Sequence, residues 1–211
     1  MCWSAEVSLK TFLIGTISAI ICLYLDAIPK SLIVVSWSFT LVQLLEYFTW
    51  TYINDKPKIY YLSIIGLLLI FLQLFLACYY YVKNNNKNLQ RGLFISFIIY
   101  IIAYCIFVLP KTKFNMKKGA NGHLEWEWLE MPPIFLLGGL IFYIMPILFN
   151  KNYAGLIFTL ITILISLYYY YKYKTWGTMW CYFSNIIWIF FILFSLYRIY
   201  FGLEKTWFWD Y

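Results

Sequence analysis

Apolar runs of about 20 residues, the length a membrane-spanning helix needs, alternate along this chain with short polar clusters. Seven such runs occupy residues 7–25, 31–52, 59–82, 90–109, 132–149, 152–172 and 178–201. The interruptions "DAIPK", "NDKPK", "KNNNKNLQR", "NKN" and "KYKTWG" hold the prolines, asparagines and lysines that end helices and keep turns in water. Tyrosine runs at Tyr79–Tyr81 and Tyr168–Tyr171 fall at span ends, where an aromatic belt meets headgroups. The pattern predicts an all-α integral membrane protein: seven transmembrane helices in one bundle, a single domain over residues 1–211.

One connection breaks the pattern. Between the fourth and fifth runs, "HLEWEW" alternates with period two, placing His123, Glu125 and Glu127 on one face and Leu124, Trp126 and Trp128 on the other. "KFNMKK" upstream alternates as well. A three-residue turn, Ala120-Asn121-Gly122, sets Lys117 opposite Glu125, Asn115 opposite Glu127, Met116 opposite Trp126 and Phe114 opposite Trp128. Glycine at the last turn position suits the left-handed residue such a turn requires. A short β-hairpin over about 112–129 is therefore predicted, its tryptophan face on the bundle or the membrane interface.

Composition supports the membrane class and narrows the partners. The chain is 64% hydrophobic, 24% aromatic and only 12% charged, too little charge to cover a soluble surface. The net charge of +7 comes from lysines placed mostly in loops, where they anchor helix ends to headgroups, so the bilayer and not nucleic acid is the expected partner. The basic residues divide almost evenly between the two sides, so the positive-inside rule assigns neither side to a compartment. The first run lacks a basic n-region and a small-x-small cleavage site, and reads as a retained helix. Five cysteines without a CxxC pair argue against a disulfide scaffold or a structural zinc. Gly138-Gly139 would permit close helix approach within a chain or in a homo-oligomer.

Within this apolar background, Glu46 is the most informative residue. It lies about 9 Å inside the second run, and an acid at that depth faces the bundle or water. Gln43 and Trp50 share its helical stripe. Lys10 is one partner within reach of Glu46, although Glu6, four residues earlier, competes for it in the better orientation. Asn185 stands at a similar depth in the last run, inside "WCYFSN", with Trp180 and Cys181 beside it. Gln73 lies nearer the opposite side and reads as packing. His123, Glu125 and Glu127 form an H-x-E-x-E face able to approach a divalent ion, but the hairpin register pairs those acids with Lys117 and Asn115 instead. No lysine occurs in the last run, so a retinal Schiff base has no attachment point there, and no other cofactor is indicated. No phosphate-binding glycine loop, HExxH or GxSxG motif appears, and no catalytic residue is assigned.

The stretches "MCWSAEVS", "VQLLEYFTW", "NGHLEWEW" and "WGTMWCYFSN" together resemble a family of small seven-helix membrane proteins of giant DNA viruses and some microbial eukaryotes. The resemblance implies a viral or protist origin and a seven-helix fold, and no mechanism. Its motifs coincide with the cluster just described, which gathers toward the side of the N-terminus. Three functions fit that cluster. The first is a carrier or channel for a small solute or ion, in a cavity open to the N-terminal side. Its binding candidates are Glu46, Gln43, Trp50, Asn185, Lys10, Trp180 and Cys181. The second is a receptor-like protein holding an apolar ligand against the tryptophans, and the third a membrane-embedded lipid-modifying enzyme.

Overall fold

The computed structural model describes residues 4–80, apart from the side chain of Tyr80, and residues 87–202. Cys2, the rest of the opening "MCW" and the 81–82 end of the third run lie outside them. Among the described residues the chain forms α1 (Ala5–Leu25), α2 (Lys30–Thr51), α3 (Lys56–Tyr80), α4 (Lys87–Phe107), α5 (Pro133–Phe149), α6 (Tyr153–Tyr170), α7 (Trp176–Ser184) and α8 (Ile187–Phe201). Two short strands, β1 (Met116–Lys118) and β2 (Leu124–Trp126), lie between α4 and α5.

Local chemistry places the helix ends. The Ser4 hydroxyl accepts the Val7 amide at 3.3 Å to start α1, and Asp26 ends it in the left-handed region at φ 47°. α2 follows Pro29 and packs against α1, α3 and α7 as the most buried helix. α4 and α6 lie at the periphery. Ile95, Ile99, Ile102 and Ile106 form an exposed stripe on α4, and Ile157, Ile161, Leu164 and Tyr168 form another on α6. Apolar stripes turned outward at helical spacing are the reverse of a soluble helix. Six of the helical stretches, counting α7 and α8 as one, are long and apolar enough to cross a membrane, as a multi-pass protein requires.

Two helical runs differ from the sequence expectation. α5 is a 17-residue apolar helix, bounded by Pro132–Pro133 and containing Pro146, and is shorter than the other six stretches. The last run is not continuous. At Asn185 the side-chain amide donates to the Cys181 carbonyl at 2.8 Å, an acceptor that an unbroken helix gives to the backbone amide of residue 185. That backbone amide turns instead to the Tyr182 carbonyl at 3.0 Å, and one tighter turn separates α7 from α8.

The hairpin forms in the predicted register: Met116 faces Trp126 and Lys117 faces Glu125. The Gly119 amide donates to the His123 carbonyl at 2.7 Å, and Gly122 closes the turn at φ +83°. A Cβ at Gly122 would meet nothing within 4 Å, so its requirement is purely conformational. Gly122→Val should therefore cost about 1–3 kcal/mol from backbone strain alone, read as a lower midpoint in thermal unfolding. A cost no larger than a surface substitution would show that the turn relaxes freely.

β2 stops at Trp126, and residues 127–129 make a 3-10 turn, so Trp128 does not pair with Phe114. Phe114 meets Tyr60 edge-on instead, at 5.7 Å. The tryptophan face enters the bundle: Met116, Leu124, Trp126 and Trp128 are each at most 2% exposed.

Candidate functional site

The site is built on one face of α2. Ser36, Thr40, Gln43 and Glu46 recur at spacings of four, three and three, which line them along a single stripe, and all four are buried. Gln43 and Glu46 have no exposed surface, and half-buried Trp50 continues the line one turn on. Across from α2, Cys181 of α7 is 1% exposed. Trp180 packs edge-on against Phe39 at 5.7 Å and Tyr143 at 5.2 Å.

Asn185 joins α2 directly. The Thr40 hydroxyl donates to Asn185 Oδ1 at 2.7 Å, and the Trp188 indole donates to Thr40 Oγ1 at 2.9 Å. The interrupted last span is thus held to the polar stripe at the point of its break. A second link lies deeper, where Gln73 donates to the Ser38 carbonyl at 3.1 Å and accepts the Tyr143 hydroxyl at 2.7 Å. Thr40 and Tyr143 were not singled out from sequence. Thr40 carries a legible signal, since it stands three residues before Gln43 on the same stripe; Tyr143 carries none.

The opening expected above Glu46 is filled. Val42, Cys181, Met116, Leu124, Trp126 and Trp128 form one core cluster, with Trp50 packed against it. The Thr49 hydroxyl lies 3.8 Å from Met116 Sδ, and the Thr178 hydroxyl donates to the Leu124 carbonyl at 3.1 Å. The hairpin is a plug set into the bundle.

Lys10 does not join this group. Its ammonium sits 2.5 Å from Glu6 Oε1, and the two side chains are 67% and 74% exposed. The local i,i+4 pair prevails because it leaves both charges in contact with solvent or headgroups, whereas reaching Glu46 would mean burying an ammonium. Lys10→Met and Glu46→Gln are therefore expected to be additive to within about 0.5 kcal/mol in a double-mutant cycle on thermal stability. A larger coupling energy would place the two side chains in contact.

The H-x-E-x-E face is less solvated than its alternation implied. His123 is 6% and Glu125 8% exposed. Burial pulls the His123 imidazole down to about 4, so it is neutral at physiological pH, and its ring meets Tyr170 edge-on at 5.3 Å. Lys117 bridges Glu125 at 3.3 Å and Glu127 at 2.5 Å, and the Asn115 amide donates to Glu127 at 3.2 Å. These bonds hold Glu127 below and Lys117 above their ordinary pKa values. The carboxylates tie the hairpin together, and among the described residues no group of His, Cys, Asp and Glu is arranged to hold a metal ion.

Three cavities flank the site. An open cleft of about 520 Å³ lies between residues 129–133, Leu136 of α5 and the 171–176 turn. Five of its residues, Trp126, Leu129, Met131, Leu136 and Trp176, also line an apolar cavity of about 50 Å³ that runs inward to Trp180 and Cys181. Tyr143 and Trp180 in turn line a third cavity, of about 80 Å³, against Ser36 of α2. No family model matches the chain, and neither does any curated protein or solved structure.

Proposed function

We propose that this chain is an integral membrane protein that carries a small cation, or a solute coupled to one, past Glu46, with the hairpin-plugged form as its closed state. The observation that carries this reading is Glu46 itself, a carboxylate with no exposed surface on the most buried helix. Ionisable residues are rare at such positions because their burial is costly, and they mark ion and proton pathways. The surroundings agree. The last span is broken at Asn185, opposite that helix, and transporters build coordination sites at discontinuous helices of this kind. The chain of cavities from the cleft to Ser36 supplies neighbouring space into which side chains can move when the plug shifts.

The test is flux. Purified protein in proteoliposomes should dissipate a proton or alkali-cation gradient faster than empty liposomes, and Glu46→Gln should abolish the difference. Equal flux in wild type and variant would remove the carboxylate from the pathway.

A further inference from the structure

We propose that the 520 Å³ cleft is a binding site for one anionic phospholipid drawn laterally from the bilayer. The proposal rests on the membrane-spanning reading, and not on ion transport through Glu46.

Position is the first argument. The cleft lies where the membrane-length stretch of α6 ends, which is headgroup level for a helix that crosses a membrane. The helices that lead into and out of it turn apolar and aromatic groups outward, Ile134 at 75% and Leu137 at 60% exposure on α5 and Tyr168 at 82% on α6. A bilayer amphiphile would reach it without passing through water.

Chemistry is the second. The turn after α6 lines it with Lys172 and Lys174, and the segment leading into α5 lines it with Leu129, Glu130, Met131, Pro132, Pro133 and Leu136. Lys174 lies 2.7 Å from Glu130, while the Lys172 ammonium lies over the Tyr173 ring at 4.7 Å. Two cations facing one carboxylate leave the cleft net positive. The first turn of α5, which no side chain caps, adds the positive end of its dipole. A positive rim above an apolar floor suits a lipid phosphate with its chain attached better than free phosphate.

A third observation is independent of both. Trp126 lines the cleft and the inner cavity, is 2% exposed, and its indole N–H has no hydrogen-bond partner among the described residues. Buried donors are costly to leave unpaired. An ester carbonyl below the phosphate would supply an acceptor at that depth.

The experiment is native mass spectrometry of detergent-solubilised full chain titrated with phosphatidylglycerol, phosphatidylcholine or inorganic phosphate. Phosphatidylglycerol should be retained about tenfold more strongly than phosphatidylcholine, and phosphate alone should not bind. The double variant Lys172→Gln/Lys174→Gln, altered only at exposed positions, should lose the preference while keeping its melting temperature. Leu136→Trp, which fills the cleft, should lower retention of both lipids. Equal retention of the two lipids, a preference that survives the lysine changes, or phosphate binding as strongly as lipid would each overturn the proposal.

Discussion

Trp128→Ala is expected to destabilise the detergent-solubilised protein by about 3–5 kcal/mol. Trp128 has no exposed surface and stacks on Trp126 with ring centroids 5.0 Å apart and planes 14° from parallel. Its far edge rests on α3 at Gly66, where a Cβ would come within 2.7 Å of Cζ2. The absence of a side chain at Gly66 is what admits the ring, so truncation leaves a void bounded by helix backbone that cannot collapse into it. The complementary change, Gly66→Ala, overpacks the same contact and should cost about 1–3 kcal/mol. Combined with Trp128→Ala it should cost less than the sum, because the added methyl then points into vacated space. Equilibrium unfolding of the four proteins measures all three quantities. A Trp128→Ala cost below that of an ordinary surface change would mean that the hairpin is not part of the core.

That packing also separates what the sequence could reveal from what it could not. The hairpin register was legible because it is set by local chemistry: period-two alternation, the Lys117–Glu125 pairing, and a glycine where the turn demands positive φ. Six of the seven expected spans were legible as helices long and apolar enough to cross a membrane, because about 20 apolar residues admit few other structures. Where the tryptophan face would go was not legible, since an apolar face satisfies itself equally in a protein core or a membrane interface. That choice was made by shape. Trp128 fits over Gly66, and Trp126 approaches Gly177, where a Cβ would stand 3.3 Å from its ring.

The break at Asn185 was hidden for a related reason. "WCYFSNIIW" reads as uninterrupted helix, and at the break Asn185 bonds both back onto the Cys181 carbonyl and to Thr40, 145 residues earlier in the chain. Asparagine in a helix can bond outward or back onto its own backbone, and the sequence alone does not show that Asn185 does both. The shortness of α5, by contrast, was written in Pro132, Pro133 and Pro146. Lys10 was a contest between a local and a distant carboxylate, and the local one won on solvation.

Glu46→Gln is expected to cut gradient-driven flux by more than about tenfold, while leaving the melting temperature unchanged or higher. Glutamine keeps the shape of the side chain and one acceptor oxygen, exchanges the other oxygen for an N–H donor, and removes the ability to carry charge. If a permeating cation contacts the carboxylate, the lost charged interaction amounts to about 1.5–3 kcal/mol, which is about tenfold to a hundredfold in a rate or affinity. Stability should move the other way, because a neutral amide is cheaper to bury than a carboxylate on the innermost helix. The two readouts therefore separate the roles that burial alone leaves joined. A carboxylate that holds the fold together would lose stability and flux in step, and flux would return when the fold is restored by lipid or low temperature. A carboxylate kept for transport would lose flux in a protein that is fully folded, and no stabilising condition would bring it back.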